Sequence, residues 1–204
     1  MIKPITINIA VEDLLSEVVI RKIIVNSRPS FDISSCYGKS GYDYLKRKIR
    51  GFNNASKGIP FVVLADLESE CAPNQIREWL PETKHPNFLF RIAVKEVESW
   101  LLADRVGIAS FLGINIAHIP VDVDVIADPK SFLISLARRS RKTIIREGIV
   151  PVPNTTAIMG PDYNGTLSSF VAVTWEIERA MQNSDSLRRT VNAINNFKPT
   201  ISGS

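Results

Sequence analysis

The run Pro60-Phe61-Val62-Val63-Leu64-Ala65 contains no polar side chain. A strand with one wet face alternates apolar and polar residues. A continuous apolar run of strand length fits a strand covered on both faces, as in a parallel sheet with helices laid over it. The flanking segments follow the same plan. Ile5 to Val11 alternates and is β-rich, and Leu14, Leu15, Val18, Val19 and Ile23 then recur at helical spacing. Phe31 to Tyr37 predicts a second strand, followed by the turn Gly38-Lys39-Ser40-Gly41 and a helix over Tyr42 to Phe52. Pro73 to Leu80 predicts a helix with proline at its start, and Phe88 to Val94 a fourth strand leading into helical Ser99 to Asp104. Strand and helix in alternation imply an α/β fold, a Rossmann-like mainly parallel sheet flanked by helices.

Beyond about residue 105 the pattern turns helical. Ile108 to Leu112, Asp128 to about Ile145, Leu167 to Ala180 and Ser186 to Phe197 carry helical signals, separated around Pro151, Pro153 and Gly160-Pro161 by a long loop. The expected organisation is a core over 1–105 and a helical C-terminal extension over 106–204, packed as one unit. No internal repeat is present.

Composition bounds the function. The 204 residues, 45% hydrophobic and 23% charged, are those of an ordinary globular domain. Cys36 and Cys71 lack paired spacing, and His85 and His118 are the only histidines, which argues against structural zinc, a disulfide framework and Ser/His hydrolase chemistry. No signal peptide or membrane span is evident, so a reducing cytoplasm is the expected setting. The tail Thr200 to Ser204 reads as frayed. A net charge of +4 permits a nucleic-acid partner without arguing for one.

The carboxylates carry more information. Glu12 stands at the end of the first strand, Asp66 and Glu68 at the end of the third, Glu96 and Glu98 after the fourth. Ligands gather at the carboxyl ends of parallel strands. Residues two apart in an extended segment point to one side, so Asp66 and Glu68 are placed to face one ion. Mg²⁺ takes oxygen ligands, often only one or two carboxylates, and can activate water and stabilise a leaving oxygen. The plainer role for a strand-end carboxylate is to cap the next helix, which suits Asp13, Asp66 or Glu96.

Basic residues supply a grip. Arg138, Arg139, Arg141, Lys142 and Arg146 fall on the helix expected to run to about Ile145, where a stripe of them would meet backbone phosphates. A solvated charged face is the ordinary alternative. Lys39 lies in a turn that lacks P-loop spacing, and is as much a solvated lysine as a phosphate contact. Lys95, beside Glu96, is placed either for electrostatic stabilisation of a phosphoryl transition state or for a surface ion pair. Trp79, Trp100 and Trp175 suit core anchors, and Tyr163 is given no chemistry.

Val11-Glu12-Asp13-Leu14-Leu15-Ser16-Glu17 resembles the opening glutamate motif of the Toprim domain, and Val63-Leu64-Ala65-Asp66-Leu67-Glu68 its Asp-x-Asp motif. Gly38 lies where such chains commonly carry glycine after the second strand. Two departures are plain: Asp13 replaces the usual glycine, and Glu68 the usual aspartate, one methylene longer. Over nearly the whole chain the sequence resembles an uncharacterised bacterial Toprim-like family, through Val11 to Glu17, Arg91 to Asp104, Asp128-Pro129-Lys130 and Gly160-Pro161-Asp162-Tyr163-Asn164. The resemblance implies a Mg²⁺- or Mn²⁺-dependent nuclease of the overcoming-lysogenization-defect kind, acting on DNA or RNA. It implies Glu12, Asp66 and Glu68 as metal ligands, with Glu12 alternatively an acid or base, and Glu98 or Glu96 for a second metal. It also implies an ATPase partner of the structural-maintenance-of-chromosomes or another AAA/ABC type, in anti-phage defence. Homo-oligomerisation is left open. The alternatives are a non-catalytic Toprim-like sensor or interaction module on the ATPase, and a nucleotidyl- or phosphoryl-transfer enzyme.

Overall fold

The computed structural model describes residues 4–68 and 70–200. The chain forms two compact units: one takes the residues up to Val94 and those from Arg189 onward, the other Lys95–Arg188. The sequence-based division at residue 105 thus falls inside the second unit, which already holds Glu96 and Glu98.

In the first unit, β1 (Ile5–Val11), β2 (Phe31–Gly38), β3 (Phe61–Asp66) and β4 (Phe88–Ala93) make one sheet in the order β2-β1-β3-β4. All three pairings are parallel. The helices α1 (Leu14–Val25), α2 (Tyr42–Ala55) and α3 (Ala72–Trp79) connect successive strands. From β1 the chain steps to β2 on one side, then crosses back past β1 to β3. Right-handed crossovers therefore place α1 on one face and α2 and α3 on the other. Packing agrees: Leu45, Ile49 and Phe52 of α2 and Trp79 of α3 share one buried cluster with Ala10, Val63, Ala65, Phe90 and Ile92. β3 is buried along its whole apolar run, as a strand covered on both faces must be. Trp79 stacks on Phe90 at 5.6 Å and Phe52 on Phe61 at 5.3 Å.

The C-terminal segment belongs to this unit. Phe197 lies 6.1 Å from the Phe31 ring, and the Arg28 N–H donates to Asn195 Oδ1 at 3.0 Å. Thr200 is held by Asn87, whose Oδ1 accepts from its N–H at 2.8 Å and whose Nδ2 donates to its carbonyl at 2.7 Å. The expectation of a frayed end is corrected for Thr200; residues 201–204 lie outside the described ones.

The second unit is helical. It holds α4 (Val97–Ala103), α5 (Arg105–Leu112), a 3₁₀ turn at Ile116–His118, α6 (Pro129–Ala137), α7 (Thr143–Ile149), α8 (Tyr163–Val173), α9 (Ile177–Met181) and the start of α10 (Asp185–Asn195). Trp100 and Trp175 are fully buried. Each indole finds an acceptor: Trp100 Nε1 donates to Ser186 Oγ at 2.7 Å, Trp175 Nε1 to the Trp100 carbonyl at 3.0 Å. Asp104, also fully buried, accepts from the Gly107 and Glu176 N–H groups and forms a bidentate pair with Arg179 at 2.7 and 2.8 Å.

Two helix expectations are corrected. The helix from Asp128 is two, α6 and α7, broken over Arg138–Lys142. Ser140 turns inward there and donates to the Leu112 carbonyl at 2.6 Å, a bond a continuous helix could not make. The helix over Leu167 to Ala180 is likewise two, starts earlier, and breaks where Trp175 and Glu176 reach Trp100 and Asp104.

Candidate functional site

The order β2-β1-β3-β4 reverses direction at β1, so its switch point lies between the carboxyl ends of β1 and β3. Open parallel sheets bind ligands in the crevice at such a point. Glu12 follows β1 directly and Asp66 is the last residue of β3. Glu12 is buried, only 8% exposed, and its Oε1 accepts the Asp66 N–H at 3.0 Å. The Glu12 carboxylate thus meets the Asp66 backbone at the switch point, and both residues stand at the strand ends expected from the sequence. Asp13 plays the plainer role, accepting the Ser16 N–H at 2.8 Å as the cap of α1.

Glu68 stands differently. β3 ends at Asp66, so the side-to-side alternation that aligned the two residues stops short of Glu68, which is exposed in the following loop. That loop is clamped by Gln75 of α3, fully buried: its Oε1 accepts the Glu68 N–H at 2.6 Å and its Nε2 donates to the Asp66 carbonyl at 2.7 Å. Sequence reading missed Gln75. Its one signal is a glutamine on a short helix beside an otherwise apolar face.

The turn after β2 supports Glu12 from the other side. Gly38 has φ 98°, and a Cβ there would collide with the Val11 carbonyl. The Lys39 N–H donates to that carbonyl and the Gly41 N–H to the Glu12 carbonyl, both at 3.0 Å. Glycine is required where the loop presses this closely on the strand end. The Lys39 ammonium pairs with Glu17 at 3.1 Å, and Arg21 pairs with the same carboxylate at 2.8 Å. Burial raises the Glu17 pKa, but the hydrogen bonds from Lys39, Arg21 and Cys36 outweigh it, and the carboxyl sits below its ordinary value. Burial and the Glu17 charge push the Cys36 thiol up to about 11.

The second unit gathers three segments that sequence singled out. Glu98, 2% exposed, accepts from the Tyr163 hydroxyl at 2.9 Å and lies 3.6 Å from the Lys130 ammonium. Glu96 accepts the Lys130 N–H at 3.0 Å with its Oε2, and its Oε1 is 3.8 Å from the same ammonium. Glu96 is therefore a helix N-terminal carboxylate, as its plainer reading had it, but for α6 rather than its own helix. Tyr163 is delivered by the loop before it. The Gly160 N–H donates to the Ile149 carbonyl at 2.9 Å, the Asp162 N–H to the Gly148 carbonyl at 3.1 Å, and a Cβ on Gly160 would strike that Gly148 carbonyl. Tyr163 had been given no chemistry; it is the phenol partner of a buried carboxylate. Lys95 is exposed in the turn before α4.

The basic stripe is corrected. Arg138, Arg139, Arg141 and Lys142 occupy the bend between α6 and α7, so no helical spacing aligns them. Lys142 Nζ donates to the Ser110 carbonyl at 2.9 Å and Arg146 Nη1 to the Ser140 carbonyl at 2.8 Å, so both serve the fold. Arg138, Arg139 and Arg141 are exposed.

Glu12 and Asp66 offer only oxygen donors, the set a hard divalent cation takes, and Mg²⁺ needs no more than one or two carboxylates. Among the described residues, no three His, Cys, Asp or Glu side chains converge as a ready-made metal cage. The residues present fit an ion held partly by water and substrate. No described helix is long and apolar enough to cross a membrane. No family model, curated protein or solved structure matches the chain.

Proposed function

We propose that the chain is a Toprim-like nuclease that hydrolyses phosphodiester bonds of DNA, or of RNA, with Mg²⁺ or Mn²⁺. The single observation that carries this reading is the meeting of Glu12 and Asp66 at the switch point of a parallel sheet. Both residues would hold the cation, with Glu68 able to swing in from the exposed loop. When bound, such an ion supplies positive charge to the leaving oxygen and activates water. The chain's own residues do the positioning. Gln75 fixes the backbone on either side of Leu67, and the Gly38 turn fixes Glu12. A site held this rigidly is one in which orientation contributes to rate. The resemblance alone supplies an ATPase partner and a role as effector in anti-phage defence.

One observation favours the non-catalytic module: no third acidic group converges with Glu12 and Asp66 among the described residues. Cleavage separates the two. Protein with Mg²⁺ or Mn²⁺, alone and with an ATPase partner, is incubated with plasmid DNA, single strands and RNA. Cleavage that chelation stops, and that Glu12→Gln or Asp66→Asn lowers by about 10²-fold or more, is expected. No cleavage in any arm supports the module instead.

A further inference from the structure

The second unit contains an open cleft of about 360 Å³ lined by Gly113, Ile114, Asn115, His118, Arg139 and Arg141. No carboxylate lines it. The side chains of Arg139, Arg141 and His118 have no ion-pair or hydrogen-bond partner among the described residues. Two guanidiniums lining one cleft without a counter-charge repel each other, a cost that a bound anion removes.

The fold holds this arrangement in place. Ser140, between the two arginines, is buried, donates to the Leu112 carbonyl at 2.6 Å and accepts the Lys142 N–H at 3.1 Å. Its own carbonyl accepts from Arg146 at 2.8 Å. With Ser140 turned inward, its two neighbours are left at the cleft. The opposite wall follows the C-terminal end of α5, where helix carbonyls would repel an anion. That end is neutralised: the Lys142 ammonium takes the Ser110 carbonyl at 2.9 Å, and the Gly113 and Ile114 N–H groups take those of Ser110 and Ala109. Guanidinium forks match phosphate oxygens, with imidazole and amide as further hydrogen-bonding groups.

We infer that this cleft binds a phosphate group of a nucleotide, either free or as a link in a single strand. A volume of about 360 Å³ lies in the range of small-molecule sites, so the phosphate can enter with its nucleoside attached. The inference does not require the chain to cleave anything.

The test is binding with EDTA present, so that hydrolysis plays no part. Fluorescence anisotropy follows a labelled deoxythymidine oligonucleotide over a range of KCl concentrations, with a nucleoside monophosphate and inorganic phosphate as competitors. Arg139→Gln/Arg141→Gln is expected to weaken binding by about tenfold or more and to flatten the slope of log K against log salt by roughly 0.7 per lost contact. Arg77→Gln, which removes a positive charge from exposed Arg77 on α3, is expected to bind as wild type. Displacement by the monophosphate identifies a free-nucleotide site; strand binding that the monophosphate does not displace identifies a backbone site. Of the two histidines, only the His118 ring signals are expected to shift when phosphate is added. The inference is overturned if no probe binds, if the double variant matches wild type, if Arg77→Gln loses as much, or if His118 stays unmoved.

Discussion

Gln75 has no titratable group and no place in any motif, yet it holds both ends of the Asp66-Leu67-Glu68 turn. Gln75→Ala removes two hydrogen bonds to backbone groups and leaves a small void. A loss of about 2–3 kcal/mol in urea unfolding is expected, with weaker divalent-ion binding. Tyr163→Phe tests the second unit's buried carboxylate. It deletes one hydrogen bond to a carboxylate and no volume worth counting, so a loss of about 1.5–3 kcal/mol is expected. Loss below half a kcal/mol would show that Glu98 does not depend on the phenol. Cys36 gives a pH prediction. With its thiol at about 11, almost no thiolate exists at neutral pH, so alkylation in a Cys71→Ser background should be slow and should climb with pH toward that value. Glu17→Gln removes the charge that helps hold the proton and should speed it. The same Glu17 has a folded pKa below its unfolded one. Its ion pairs therefore stabilise fully above the ordinary value of 4.5 and fade as pH falls through the lower, folded value.

At the level of elements, strands were legible and helix ends were not. A strand inside a parallel sheet must be apolar on both faces, and that demand is written directly into Phe61 to Ala65. The breaks at Ser140 and at Trp175 come instead from hydrogen bonds to Leu112, Trp100 and Asp104, residues 28, 75 and 72 positions away. Local spacing cannot register such partners, so the arginines of the bend looked like a helical stripe. Ser140→Ala should cost about 1–3 kcal/mol by leaving the Leu112 carbonyl without its partner. Asp104→Asn should cost about 1.5–3 kcal/mol, because it removes the charge of a fully buried carboxylate that holds Arg179 in a bidentate pair, while Arg179, one-third exposed, keeps its pair with Glu176. Both losses are read from denaturant midpoints.

For the whole molecule, the strand-end positions of Glu12 and Asp66 were legible and the path of the chain after β3 was not. Glu12 and Asp66 were visible because apolar runs mark the strand ends, and the Glu12 carboxylate reaches the Asp66 N–H. β3 stops at Asp66, two residues before Glu68, and Gln75 rather than the sheet decides the path of the loop. Glu96 and Glu98 fall in the second unit, where Lys130 and Tyr163 account for their placement. The central claim therefore narrows to a divalent ion held by Glu12 and Asp66. Calorimetric titration of the purified protein with Mn²⁺ tests it most directly. Binding is expected that Glu12→Gln and Asp66→Asn each weaken at least tenfold while the far-ultraviolet circular dichroism stays unchanged. No Mn²⁺ binding by the wild type, or binding that both variants retain in full, would contradict it.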